Sequence, residues 1–398
     1  MSELLPVSYQ LAWPVAIALA WVFGEFGYRL TGLPRIALYG LAGFLFGNLA
    51  SGALPGEGAD TFMLLANLGF GLILFELGYR INLRWLRSNP WIAVTSVAEA
   101  GLTFVAVYHV AAWFGTAPLP SLLLAALSMS ASPAGILRVV NEQRSSGQVT
   151  ERVLHLSALN CVLALLAFKA IVGVGVFQTS GRLLDALWSS AAVLGVSAAL
   201  GAALGIAVPG LLRRLGTLSR DATLAFAFVV IVLVALTHGL KFSPLLATLT
   251  FGIVARHRRV ALSQAQRNFG VMGDLLTVVL FFYIATTLDW ARVHEGLVLA
   301  LAIIGTRLAA KVVGTGLFAR VSGVSWKKGV LTGLAMTPIS AFVILLSEQT
   351  RRLGIDLVDT LAPLAAMAFL LEVIGPVVTQ WALRWAREAP ASGDVKEA

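Results

Sequence analysis

The chain has 398 residues, 58% hydrophobic and only 12% charged, with a formal net charge of +9, whereas a soluble domain carries roughly 25% charged residues. This balance excludes water as the only solvent. The positive charge does not indicate nucleic acid either, because Lys and Arg sit in loops between apolar runs and not on one soluble face interleaved with aromatics.

Apolar stretches long enough to cross a bilayer follow one another almost end to end. The N-terminal MSELLPVSYQ lacks the positive region of a signal peptide and is expected to lead directly into a span. About thirteen transmembrane helices are predicted, at 11–29, 33–52, 61–81, 91–114, 119–141, 152–176, 185–208, 222–239, 243–256, 268–288, 296–320, 327–348 and 356–386. The chain therefore reads as an all-α membrane protein. Residues 1–386 form a single transmembrane transporter domain in this reading, and 387–398 a short cytoplasmic tail.

The ninth span is short, yet omitting it would place basic loops on both sides of the membrane. With it, Arg182, Lys241, Arg292, Arg351 and Arg352 are the only basic residues in outside loops. Lys169, Arg307 and Lys311 fall inside spans, and the rest of the 29 Lys and Arg are cytoplasmic. The expected orientation is N-terminus outside and C-terminus inside.

Helices one to six resemble helices eight to thirteen, giving inverted repeats at 11–176 and 222–386 with a linker helix at 185–208. TGLPRIALYGLAG aligns with KFSPLLATLTFG through Pro34 and Pro244, and LILFELGYRINL with VVLFFYIATTLDW. SMSASPAGIL aligns with LAMTPISAFVIL, each with a hydroxyl residue directly before a mid-span proline. Ser132-Pro133 and Thr337-Pro338 thus mark matched interruptions, where unwound carbonyls and helix ends can meet a solute at the midplane.

These stretches, with LGFGLILFELGYRINLRWLR, LSMSASPAGILRVVNE and LEVIGPVV in the same order and spacing, resemble the cation/proton antiporter superfamily over nearly the whole chain. The resemblance implies the sodium/proton antiporter fold, with a panel or dimerisation domain and a mobile core in which two broken helices cross at the ion site. It implies a secondary transporter that exchanges Na+ or K+ for protons by alternating access. It also implies a homodimer in the cell (inner) membrane, with lipid and a small inorganic ion as partners.

One position departs from that pattern. The family's sixth-span carboxylate, an Asp usually preceded by Asn, Gln or Asp, corresponds here to Asn160 followed by Cys161. A thiol, with an ordinary pKa of about 8.5, is mostly neutral at pH 7 and a poor partner for a hard alkali cation. Lys311 matches the family's eleventh-span basic position, and Arg307 precedes it by one turn on the same helix face. A charge at such depth needs a partner. Glu76, Glu99, Asp274 and Glu372 are the candidates, Glu372 being attractive because its helix is the repeat mate of the sixth span. Lys169 is expected to reach toward an interface.

The predicted ion site comprises Ser130, Ser132, Pro133, Asn160, Cys161, Arg307, Lys311, Thr337 and Pro338, with Glu76 or Glu372 as proton-coupling candidates. The basic residues without the usual Asp leave open an anion or organic-solute carrier, and the missing Asp leaves open a non-transporting scaffold or sensor. No phosphate loop, nucleophile elbow or metal-ligand spacing is found. Neither an enzyme, a bound metal nor a cofactor is expected.

Overall fold

The structure, a computed structural model, describes residues 4–49, 59–180, 183–214, 222–240, 242–258, 270–286, 290–340, 343 and 362–389. Every regular element among the described residues is an α-helix. In chain order these are α1 (Leu4–Thr31), α2 (Arg35–Leu49), α3 (Ala59–Arg80), α4 (Leu83–Ser88), α5 (Trp91–Trp113), α6 (Pro118–Ser128), α7 (Pro133–Glu142) and α8 (Gln148–Ser180). They continue with α9 (Leu183–Arg214), α10 (Ala222–Gly239), α11 (Pro244–His257), α12 (Gly270–Thr286), α13 (Trp290–Leu317), α14 (Trp326–Ala335) and α15 (Ala362–Trp385). Each expected span contains a helix where described, interrupted at 129–132 in the fifth and ending before 336–340 in the twelfth. Part of the twelfth (341–342 and 344–348) and the start of the thirteenth (356–361) lie outside the described residues.

By length and composition, eight spans among the described residues can cross a bilayer. On α10, Leu224, Phe228 and Val232 are more than half exposed while Phe226, Val230 and Leu233 are buried. An apolar exposed stripe opposite an apolar buried one suits hydrocarbon and not water. The segment Pro118–Glu142, in contrast, has its apolar window wholly enclosed, as a helix pair at the centre of a bundle requires.

Local chemistry fixes several helix starts. Ser132, Ser243 and Ser325 are N-caps of α7, α11 and α14, each accepting from the amide three residues on. Pro133 and Pro244 occupy the following position, where the missing N–H leaves no hydrogen bond unmade. Pro133 therefore begins a helix; it does not kink one.

The chain divides into two compact units. The first contains residues 1–58, 89–175 and 281–398. In it α13 packs against α5, α14 and α15, α5 against α6, α2 against α1 and α15, and α15 also against α7 and α14. The second contains residues 59–88 and 176–280, where α11 packs on α3 and α9, and α10 covers α3 and α11. Its core centres on Phe75, whose ring lies 4.9 Å from Phe251 and 5.3 Å from Phe226. There Arg256 donates to the carbonyls of Tyr79 (2.9 Å) and Arg80 at the end of α3, a cation on a helix C-terminus.

Candidate ion site

The first interruption lies between α6 and α7. Helix α6 ends at Ser128, residues 129–132 are irregular, and α7 restarts at Pro133. Helix α14 likewise ends at Ala335, and the chain through Ser340 is irregular. The two interruptions meet directly, for the Ser132 amide donates to the Pro338 carbonyl at 2.8 Å. Helix α15 seats against the second one at Gly375, where a Cβ would lie 2.7 Å from the Pro338 Cα.

Both helix ends leave carbonyls without helical partners in a medium lacking water. Arg307 answers for most of them. Its Nε donates to Ser128 O (2.9 Å), Nη1 to Thr337 O (2.6 Å), and Nη2 to Ser130 O (2.6 Å), Pro338 O (3.2 Å) and Met336 O (3.3 Å). One turn further along α13, the Lys311 ammonium donates to Met129 O at 3.1 Å. Two cations at i and i+4 thus serve carbonyls 128–130 and 336–338, and both are fully buried.

Lys311 also meets a carboxylate, and it is Glu99 of α5. Nζ lies 2.6 Å from Glu99 Oε1, with both side chains at 0% exposure. The same Oε1 accepts from Thr103 Oγ1 at 3.0 Å, and Oε2 accepts from the Asn160 amide on α8. Ser96 Oγ donates to Asn160 Oδ1 at 2.7 Å, which fixes the amide so that its NH2 faces the carboxylate. Lys311, Thr103 and Asn160 therefore converge on Glu99. The close approach of α5 and α13 needs Gly314, since a Cβ there would sit 2.8 Å from Glu99 Cα.

Cys161 points at the first interruption, its thiol donating to Ala131 O at 3.1 Å. Ser130 and Thr337 do not offer free hydroxyls, because each donates back to its own helix end, at Leu127 O (2.8 Å) and Leu334 O (2.5 Å). Their contribution is the backbone carbonyl. Ser132 is spent as the α7 cap, accepting from Gly135 N at 3.0 Å.

The preference for Glu372 as the partner of Lys311 is corrected. Glu372 lies on α15 with its stem over Gly40 of α2, and its buried Oε1 has no hydrogen-bond partner among the described residues. Glu76 belongs to the second unit, where it pairs with Arg80 at 3.4 Å, and Asp274, also of that unit, is exposed. Lys169 is half-buried on α8. Among the described residues no group of His, Cys, Asp and Glu is arranged to hold a metal ion.

Sequence reasoning named Glu99 only as one of four possible partners and gave it no role in coupling. The signal was present, because Thr95, Ser96, Glu99 and Thr103 recur at three- and four-residue spacing along one face of an otherwise apolar span. The breadth of the Arg307 contacts left no such signal, since its acceptors are backbone atoms.

Comparison with known proteins bears on this arrangement. The sequence model of the family described as "Sodium/hydrogen exchanger, transmembrane" matches residues 15–385. The sodium proton antiporter MjNhaP1 from Methanocaldococcus jannaschii, at pH 8, superposes with a TM-score of 0.66 at 16% identity, over 97% of this chain and 98% of that one. An electron-microscopy map of MjNhaP1 gives 0.71 at 17% identity, over 93% and 95%. At this identity the likeness concerns the fold. No curated protein matches the chain by sequence.

Proposed function

We propose, on the premise that the chain belongs to the sodium/hydrogen exchanger family, that it exchanges a monovalent cation, Na+ or K+, for protons by alternating access, with Glu99 as the exchanged carboxylate. The observation that carries this reading is the Glu99–Lys311 pair beside the first interruption. The sixth-span position of the usual Asp is a thiol, yet a carboxylate from α5 reaches the neighbouring Asn160. The ionisable group has moved to another helix while keeping its neighbours.

In the described state Lys311 neutralises Glu99. A monovalent cation entering here competes with the ammonium for Oε1, and the Met129 carbonyl, the Thr103 hydroxyl and the Ser96 hydroxyl are oxygen ligands within the same cluster. Such oxygens replace the hydration shell that the cation sheds. A proton arriving on Glu99 removes the charge that holds the cation, so the two compete for one group. Coupling through Glu76 or Glu372 has less support, because the carboxylate that meets Lys311 is Glu99.

The anion-carrier alternative, which Lys169, Arg307 and Lys311 motivate, has less support at the same point. Arg307 is occupied by carbonyls and Lys311 by Glu99, so neither offers a free positive charge. The loop charge bias supports an N-out, C-in orientation, and placement in an inner membrane rests on family resemblance. Homodimeric assembly rests on family resemblance.

Proteoliposomes with an imposed pH gradient test the reading. Addition of Na+ or K+ should dissipate the gradient, Glu99→Gln should reduce that flux at least about 100-fold, and Glu372→Gln should preserve it. Cation-dependent flux that survives Glu99→Gln would overturn the assignment.

A further inference from the structure

We propose that the turn between α7 and α8 and the end of α15 form a seat for the headgroup of an anionic phospholipid, held by Arg144, Arg384 and Arg387 beside the exposed rings of Trp381 and Trp385. Such a seat does not depend on the exchange reading above.

Two helices end here in the same unusual way. The Arg144 and Ser145 amides donate to Asn141 O (3.1 Å) and Val140 O (2.9 Å), and the Arg387 and Glu388 amides to Arg384 O (2.9 Å) and Leu383 O (3.1 Å). Each pair of bonds is a Schellman closure, whose turning residue is left-handed and ordinarily glycine. Here it is an arginine both times, Arg144 at φ 48° and Arg387 at φ 58°, the only non-glycine residues with positive φ among the described ones. A residue with a Cβ is disfavoured in that conformation, so backbone geometry accounts for neither arginine. The two closures also adjoin. Arg384 Nε donates to Gln143 Oε1 at 3.2 Å, and Ser146 N donates to Glu388 O at 2.9 Å, which gathers Arg144, Arg384 and Arg387 at one end of the first unit.

All three arginines are exposed, and among the described residues none is paired with a carboxylate. The nearby acids are engaged elsewhere: Glu25 with Arg29 and Arg35, Glu142 with Arg35, and Glu388 with Lys328 and the amides of Val149 and Thr150. Glu151 lies 3.9 Å from His155. Guanidiniums left in this state suit a phosphate group, which their planar forks match. Position relative to the bilayer then identifies the source of the phosphate. Arg144 lies in the turn between the spans Pro118–Glu142 and Gln148–Val172, and Arg387 two residues beyond the span Pro363–Trp385, so the charges stand at headgroup level. In the last two turns of that span Trp381 and Trp385 stack at 6.4 Å and are 50% and 58% exposed, as suits rings at a membrane–water interface. With the half-exposed Ile374 they line one face of α15, a path for an acyl chain beneath the headgroup. A soluble anion would use the arginines but gain nothing from that stripe. A lipid seated here clasps α15 to α7, which follows the first interruption, and to the start of α8, which carries Asn160.

The test is thermal unfolding of the full chain in a neutral detergent, which needs no transport. Added phosphatidylglycerol should raise Tm by roughly 3 °C or more, and phosphatidylcholine should not. In Arg144→Gly/Arg387→Gly that rise should be lost, while Tm without lipid stays at or above the wild type because glycine suits both left-handed positions. Arg144→Asn/Arg387→Asn, whose side chains also tolerate that conformation, should behave likewise and covers the case in which the glycine variant does not fold. Arg144→Lys/Arg387→Lys keeps the charges and should keep most of the rise. If the guanidiniums only complemented the two helix ends, both neutral variants would lose stability with or without lipid, and the proposal would be overturned. It would fall equally if phosphatidylglycerol raised their Tm as much as that of the wild type, or raised no Tm at all. A rise reproduced by millimolar inorganic phosphate would also overturn it, by assigning the arginines to a soluble anion.

Discussion

Lys311 Nζ lies 2.6 Å from Glu99 Oε1, and neither side chain has any solvent exposure. A buried pair of this kind contributes little net stability relative to apolar residues, but removing one partner strands the other charge in a medium that cannot solvate it.

Lys311→Met should accordingly destabilise the protein by about 3–5 kcal/mol, with Glu99 left unneutralised against the Asn160 amide and the Thr103 hydroxyl. The double variant Lys311→Met/Glu99→Gln should lose clearly less than the sum of the two single changes. Thermal unfolding of the four proteins measures the coupling, and strictly additive losses would show that the pair does not interact.

Cys161 donates to Ala131 O from a fully buried position. Cys161→Ser keeps a small donor there, so stability should change by less than about 1 kcal/mol and flux should persist. Cys161→Asp sets a carboxylate against a carbonyl oxygen, a repulsive contact unless a cation or a proton lies between them. Its Tm should therefore rise with Na+ concentration more steeply than that of the wild type. A flat response would show that no cation reaches this position.

Gly314 lets α13 approach the backbone of α5 at Glu99, where an added Cβ would stand 2.8 Å from Glu99 Cα and from its Cβ. Neither atom is a flexible side-chain end, so Gly314→Ala must push the helices apart, at a cost of about 1–3 kcal/mol. The change lengthens the Glu99–Lys311 contact, so flux should fall more than stability alone explains. Wild-type flux at unchanged Tm would be the contrary result.

Glu388, just after α15, caps the helix that carries Asn160. Its two carboxylate oxygens accept from the amides of Val149 (2.9 Å) and Thr150 (2.8 Å), and Lys328 of α14 lies 3.6 Å away. An anion on a helix N-terminus satisfies orphan donors and complements the dipole. Glu388→Ala should remove about 1–2 kcal/mol without abolishing cation-dependent flux. Total loss of flux in a folded protein would assign this cap a part in transport.

Hydropathy and charge are local properties of the chain, which is why the helices and the matched interruptions could be read from the residues alone. A carboxylate in a membrane span also announces itself by its cost, so Glu76, Glu99 and Glu372 were all visible as candidates. Choosing among them depends on helix rotation and on the distance between helix axes, which single-sequence periodicity does not encode. Gly314 brings α5 against α13, and the polar face of α5 then turns Glu99 toward Lys311 and Asn160. Glu372, favoured by repeat symmetry, instead packs over Gly40. The Arg307 fork was equally hidden, because its acceptors are backbone carbonyls that every residue possesses; only the meeting of two helix ends, far apart in sequence, makes them a site.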